Sequence, residues 1–125
     1  MEINIELLLN LPNLSVLDCS ISDKEAHIYC ENTSSTCVCP SCLRPSSSVR
    51  MYQERTVRDM ALLGRKVYLY LKVRQFFCED CKRYFNESFS FVEASKTMTT
   101  RYEEYLYFLS DNLCINQVSI KEDVV

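Results

Sequence analysis

Two short stretches decide the fold, "CVCPSC" at residues 37–42 and "FFCEDC" at residues 76–81, because each contains a Cys-x-x-Cys pair. Zinc is held tetrahedrally by four thiolates at about 2.3 Å, which suits two such turns facing each other. A strand out and a strand back over residues 43–77 would return the chain to its starting point. The sequence therefore predicts a Zn²⁺ site whose ligands are Cys39, Cys42, Cys78 and Cys81.

The other cysteines leave some alternatives open. Cys37 can replace Cys39 as a ligand, although this breaks the equal spacing of the two pairs. A redox dithiol also uses the Cys-x-x-Cys spacing, but two matched pairs without a βαβ pattern favour a metal. A site filled by four thiolates has no open position for substrate, so we expect a structural ion. Cys19, Cys30 and Cys114 sit in apolar runs, which predicts buried thiols.

Composition narrows the class of protein. The chain has 125 residues, of which 47% are hydrophobic and 25% charged, as in an ordinary globular domain. It has no run of eighteen apolar residues, so we expect no membrane partner. Its first residues carry Glu2 and Glu6 where a secretory signal carries basic residues. Eight cysteines in a reducing compartment favour metal binding, and we expect a cytoplasmic protein.

Charge is divided along the chain. Residues 43–83 carry ten basic and four acidic side chains, whereas residues 1–42 carry one basic and six acidic ones. Residues 84–125 are again acidic, with three basic and seven acidic side chains. A basic segment is typical of a phosphate-binding surface, although a solvated sheet face is an equally good explanation of the charge alone.

Hydrophobic periodicity predicts four strands and a helix. Residues 14–21 and 25–32 have the pattern of a β-hairpin, and residues 49–60 and 66–77 that of a second one. In the last of these, Val67, Leu69, Leu71 and Val73 alternate with Tyr68, Tyr70, Lys72 and Arg74, so one face is apolar and the other aromatic and basic.

The C-terminal part predicts a helix after an irregular stretch at 82–97. Thr100 and Glu103 have the spacing of a capping box, and apolar residues follow at helical spacing up to Leu113. A second start signal appears at Ser119 and Glu122. We predict an α+β fold with three units: an N-terminal β-hairpin at 1–36, a zinc-ribbon-like β-hairpin domain at 37–97, and a helical segment at 98–125 that begins a helix-turn-helix.

The motifs between and after the cysteine pairs resemble a known family, the ISL-three type bacterial insertion-sequence transposases. The resemblance is to their N-terminal zinc-finger region, and the residues that carry it are Arg55, Arg58, Asp59, Gly64, Arg74, Phe76, Cys78, Phe85 and Glu87. It implies a zinc-binding module that recognises the terminal inverted repeats of an element in double-stranded DNA. It also implies that the family's catalytic domain is missing, so we expect a truncated product or a fragment that is not an enzyme.

Seven basic residues are candidates for DNA contacts, with Arg58, Lys72 and Arg74 foremost: Arg50, Arg55, Arg58, Arg65, Lys66, Lys72 and Arg74. Tyr68 and Tyr70 share a face with Lys72 and Arg74, but burial of their rings against the N-terminal hairpin or the helix is the simpler explanation. Arg58 and Asp59 can likewise form a structural pair. The alternative function is a zinc-stapled domain that docks another transposase subunit or a regulatory protein without reading DNA sequence.

Overall fold

A long β-hairpin forms the centre of the protein. The computed structural model describes residues 5–112. Two strands of 14 residues each, β5 (Val49–Leu62) and β6 (Arg65–Cys78), pair antiparallel to form this hairpin. Both strands were predicted, with slightly shorter bounds. The turn between them has positive φ angles at Leu63 (51°) and Gly64 (79°). Glycine adopts this left-handed conformation without the steric cost of a Cβ, which explains the position of the only glycine in the chain.

The N-terminal hairpin joins the same sheet. Strands β1 (Leu14–Ile21) and β2 (Glu25–Asn32) pair antiparallel, with the bounds that the sequence predicted. Strand β2 also pairs in parallel with β6, from Glu25 opposite Lys66 to Glu31 opposite Lys72. The strand order is therefore β1-β2-β6-β5, and the two predicted hairpins share one sheet. The division of the chain at residues 36 and 97 stays a prediction.

Shorter elements complete the α+β fold. Strand β3 (Cys37–Val38) pairs with β4 (Pro45–Ser46), and β7 (Arg83–Asn86) pairs with the end of β6. The sequence predicted an irregular chain at 82–97, so β7 is a correction. Helix α1 (Ile5–Leu9) was not predicted. Helix α2 (Thr100–Asn112) was predicted, but its capping residue is Thr99 and not Thr100, because Thr99 Oγ1 accepts from the Tyr102 N–H at 3.3 Å. Neither helix is long and apolar enough to span a bilayer.

Some predictions lie outside the described residues. They concern Leu113 at the end of the apolar helix pattern, the burial of Cys114, and the second helix start at Ser119 and Glu122.

The inner face of the sheet carries the core. On β6, Val67, Leu69 and Leu71 are fully buried, which confirms the alternation seen in the sequence. They pack with Ala26, Ile28 and Cys30 from β2, Val57 from β5, and Leu9, Leu14, Phe89, Phe91 and Val92 from the segments that cover this face.

Two of the free cysteines differ in burial. Cys30 is buried as predicted, and desolvation raises the pKa of its thiol to about 12. The prediction for Cys19 was wrong, because β1 is the edge strand and this residue is exposed.

A buried carboxylate ties the helices to the sheet. The Asp59 side chain is completely buried and accepts a hydrogen bond from Thr99 Oγ1 at 2.7 Å and another from Arg101 Nε at 2.9 Å. Arg101 also donates to the main-chain carbonyl of Leu9 at the end of α1, at 2.7 Å. The sequence suggested Arg58 as the partner of Asp59, but the structure gives this role to Arg101, which lies 42 positions away.

We predict that Arg101→Ala lowers the free energy of unfolding by about 3 kcal/mol, because it leaves a buried carboxylate without its charge partner. Urea melts followed by circular dichroism would measure the change. Lys96→Ala is the matched control, since Lys96 pairs with Glu103 on a partly exposed surface and its loss should cost less than about 1 kcal/mol. Equal losses in the two variants would show that the Asp59 contact is not a main support of the fold.

Candidate metal centre and its surroundings

The two Cys-x-x-Cys turns have the same backbone geometry. The main-chain N–H of Leu43 donates to the carbonyl of Cys39 at 2.9 Å, and that of Lys82 donates to the carbonyl of Cys78 at 2.8 Å. In each turn the residue after the second cysteine is left-handed, with φ of 62° at Leu43 and 54° at Lys82. These non-glycine residues accept backbone strain, which indicates that the surrounding turn determines their conformation.

Hydrogen bonds to the main chain of Phe77 bring the two turns together. Cys78 is the last residue of β6, so the second turn begins where the long hairpin ends. The first turn is fixed beside it, because Ser46 Oγ donates to the carbonyl of Phe77 at 2.6 Å and the Phe77 N–H donates to the carbonyl of Ser48 at 2.9 Å. Thus the hairpin over residues 43–77 does return the chain to the first cysteine pair.

The four sulfur atoms fit a zinc ion. The Sγ atoms of Cys39, Cys42, Cys78 and Cys81 all lie within 4.8 Å of one another. Cys42 and Cys78 are 3.5 Å apart, and Cys39 and Cys81 are 3.9 Å apart. A tetrahedral ion with Zn–S bonds of 2.3 Å requires sulfurs separated by about 3.8 Å, so these donors match zinc in type, number and spacing.

The surroundings of two of these thiols shift their pKa values in opposite directions. Hydrogen bonds from the main-chain N–H groups of Cys42 and Ser41 lower the pKa of Cys39 to about 7. The pKa of Cys81 is raised to about 12, first by its hydrogen bond with the Cys42 sulfur and then by desolvation. A divalent ion among the four sulfurs would supply the charge that lets all four become thiolates.

Cys37, the alternative ligand, is not a member of the four-cysteine cluster. It lies on β3, where burial and then the Glu87 carboxylate raise the pKa of its thiol.

Arg74 does not project from the sheet as we expected. Its side chain is only 14% exposed, and its Nε donates to Glu87 Oε2 at 2.6 Å. The Arg74 main-chain N–H donates to the same oxygen at 2.9 Å, and Glu87 itself is 1% exposed. The Glu87 hydrogen bond raises the pKa of Arg74 further, so this guanidinium is held as a structural cation.

Three more of the candidate arginines make intramolecular contacts. The Arg55 guanidinium donates to the main-chain carbonyls of Glu93 and Lys96, and Arg65 Nε donates to the carbonyl of Ser22 at 2.7 Å. Arg58 lies between two aromatic rings, 5.9 Å from the centre of Tyr68 and 5.2 Å from that of Tyr102.

The lysines and tyrosines of β6 face the N-terminal hairpin. Tyr68 stacks on His27 at 5.2 Å and Tyr70 on Tyr29 at 4.6 Å, so both rings pack on β2, as the simpler explanation held. Lys72 is exposed, but its Nζ lies 4.5 Å from the centre of the Tyr52 ring and 4.0 Å from Glu31. Lys66 lies opposite Glu25 in the register and is half-buried.

Of the seven candidates, Arg50 is the exposed residue at the end of the hairpin that lies beside the four cysteines. Its guanidinium lies 5.2 Å from the centre of the Phe77 ring, beside Cys78. Three exposed basic residues that sequence reasoning did not select accompany it there: Arg44, Lys82 and Arg83. Their closeness in sequence to the cysteines was the signal that could have identified them. We call these four residues the cationic rim. The DNA contacts of all these residues stay predictions.

We predict that the purified protein binds about one zinc per chain and loses its cooperative fold when the metal is chelated, because the ion joins both ends of the hairpin. Cys78→Ser should abolish stoichiometric binding, whereas Cys37→Ser should retain it. Elemental analysis and thermal melts of both variants would test this. Loss of zinc from Cys37→Ser alone would show that the ligand set is wrong.

A comparison with known proteins identifies this region. The family described as the zinc-finger of transposase IS204/IS1001/IS1096/IS1165 matches residues 35–81, which include both cysteine pairs and the hairpin between them. No curated protein and no solved structure matches the chain. The match and the four-cysteine cluster together support zinc binding. Residues 35–81 are therefore similar to the zinc-finger region of the IS204/IS1001/IS1096/IS1165 transposases.

Proposed function

We propose that the chain is a DNA-binding module that recognises the terminal inverted repeats of a mobile element in double-stranded DNA. One observation carries the proposal: the segment that matches a transposase zinc finger folds so that its four cysteines converge at the end of a long hairpin. Zinc bound by four thiolates has no open position, so its contribution is to fix the two turns. In this proposal the chain contributes binding and no chemistry of its own.

The cationic rim is the surface that we assign to DNA. Arg83 lies opposite Cys78 in the pairing of β7 with β6, and Arg50 lies over Phe77, so the metal site and the hairpin hold both cations in place. Cations fixed in this way contact phosphates with little loss of conformational entropy. Each such contact releases counterions from the duplex, and this release is the salt-dependent part of affinity.

Two carboxylates lie within the rim but do not oppose this role. Arg44 pairs with Asp80 at 3.4 Å and Lys82 with Glu79 at 3.5 Å, and all four side chains are more than half exposed. Exposed pairs of this kind contribute little free energy, so phosphates can replace the carboxylates at small cost. An arginine in the same rim can also bind a guanine edge with two hydrogen bonds, which is a route to sequence recognition.

We predict that Arg50→Ala combined with Arg83→Ala weakens binding to a terminal-repeat duplex. The slope of log K against log salt should become shallower by about 1.8, because two phosphate contacts are lost at about 0.9 each. Fluorescence anisotropy with a labelled duplex over a series of salt concentrations would measure the slope. Zinc content should be unchanged, since neither residue is a ligand.

The matched control removes two charges elsewhere. Lys24 and Lys96 are exposed basic residues away from the four cysteines, so Lys24→Ala with Lys96→Ala should leave the slope within error of the unmodified chain. A duplex with the terminal repeat scrambled tests sequence recognition separately. The proposal fails if the unmodified chain binds the two duplexes equally, or if both double variants lose affinity to the same extent.

A second candidate function is a protein-interaction domain without sequence-specific DNA readout, whose partner would be another transposase subunit or a regulatory protein. The observation that favours it is an exposed aromatic groove on the outer face of the sheet, whose surroundings are acidic as well as basic. The salt series separates the two functions, because a domain without phosphate contacts shows a slope near zero.

A further inference from the structure

The outer face of the sheet, opposite the core, carries a groove of ≈ 280 Å³. Side chains from all four main strands line it, and we call it the tyrosine groove; its principal residues are Leu17, Tyr29, Tyr52, Glu54, Tyr70 and Lys72. The segments that cover the core lie on the other face of the sheet. The groove is open to solvent in the part of the chain that the structure describes, with Tyr29 38% and Tyr52 55% exposed.

The rings of the groove are held in place by their neighbours. Tyr70 stacks on Tyr29, and its hydroxyl is 2.6 Å from His27 Nδ1, while His27 Nε2 is 2.9 Å from Glu25. Tyr52 packs against the Lys72 ammonium. Tyrosines fixed in this manner offer a large contact area at low entropic cost, a property of protein interfaces.

A bulge in β1 places an apolar side chain at the rim of the groove. The β1–β2 register shifts between Val16 and Asp18, so that Leu17 has no partner across the ladder. Leu17 is 53% exposed and lines the groove. Bulges re-aim side chains in this way. An exposed leucine therefore lies at the edge of a groove on the same surface, an arrangement that can be self-complementary about a two-fold axis.

The groove has two carboxylates and one ammonium group around it, so it suits a second copy of the chain better than a polyanion. Glu54 lies opposite Lys72 in the β5–β6 register, and Glu31 lies 4.0 Å from the same ammonium. The two carboxylates oppose the approach of a phosphate backbone. Both signs are present within a small area, so a two-fold axis can bring a carboxylate of one copy to an ammonium of the other.

From these features we propose that the tyrosine groove is a self-association surface. A second copy of the chain packs on it about a two-fold axis, and Leu17 of each protomer enters the groove of its partner. This inference goes beyond DNA binding, because the surface differs from the cationic rim and does not depend on nucleic acid.

Sedimentation equilibrium of the zinc-loaded full chain without DNA tests the proposal. The unmodified chain of 14.6 kDa should approach twice its monomer mass as concentration rises. Leu17→Glu should remain monomeric at the same concentrations, because it places a charge in an apolar contact. Leu63→Glu makes the same change at a leucine that is 75% exposed in the β5–β6 turn, away from the groove, and should still dimerise.

A second pair of variants keeps the test valid if Leu17→Glu disturbs the edge strand. Tyr52→Ala should raise the dimer dissociation constant about tenfold or more, as loss of a central aromatic contact does. Tyr84→Ala, at a tyrosine 59% exposed on β7, should leave it unchanged. Circular dichroism and zinc content confirm the fold of each variant. A monomer at every concentration of the unmodified chain overturns the proposal, as does equal dissociation of Tyr52→Ala and Tyr84→Ala.

Discussion

Four sulfur atoms within 4.8 Å of one another can all be ionised only if a cation lies among them, and the rest of this small domain depends on that requirement. The two cysteine pairs are the ends of a loop whose interior is the β5–β6 hairpin, so the ion closes the hairpin at the end opposite its glycine turn. The glycine turn and the cysteine cluster together constrain both ends of β6 and therefore its register. The buried residues of this strand lie at the centre of the core. Strand β7 and the cationic rim are then positioned by their attachment to the same end.

The acidic and basic segments of the chain form ion pairs with one another in the folded structure. The acidic segments at each end of the sequence supply carboxylates to the basic middle: Glu31 from β2 approaches Lys72, and Glu87 holds Arg74. Part of the positive charge between the cysteine pairs is therefore balanced within the molecule. The basic residues beside the metal site form a group whose acidic neighbours, Asp80 and Glu79, are more than half exposed and easily exchanged. Some of the basic residues in this segment therefore stabilise the fold through intramolecular ion pairs, and their charge alone does not indicate a polyanionic partner.

The sequence allowed prediction of those features whose signal is local. The bounds of β1 and β2, the buried residues of β6 and the start of α2 follow from alternation, turns and capping, which involve residues close in sequence. The cysteine cluster was predictable because zinc imposes a spacing on its ligands. The four-residue β7 and the five-residue α1 are too short to produce a periodic pattern.

Contacts distant in sequence were the ones that could not be predicted. Arg74 alternates with the apolar residues of β6 and therefore resembles a solvent-facing cation, but Glu87, which directly follows β7, pairs with it and buries it. Asp59 has an arginine next to it in the sequence and a different one, Arg101, beside it in space. Cys19 has apolar neighbours, yet its strand lies at the edge of the sheet. In each case tertiary packing decided the environment of a side chain whose local pattern had another simple explanation.

The parallel pairing of β2 with β6 has a consequence for the order of folding. The chain makes β2, then the first cysteine turn, then β5, and only afterwards the strand that lies beside β2 in the finished sheet. The N-terminal hairpin can form early from contacts between neighbouring residues, but its junction with the rest of the sheet must wait for loop closure over the whole intervening segment. A metal ion that joins Cys39 to Cys78 shortens that loop, because it brings the start of β5 and the end of β6 together. A shorter loop closes at a smaller entropic cost, and closure covers the edge of β2 that is otherwise open to association with other chains.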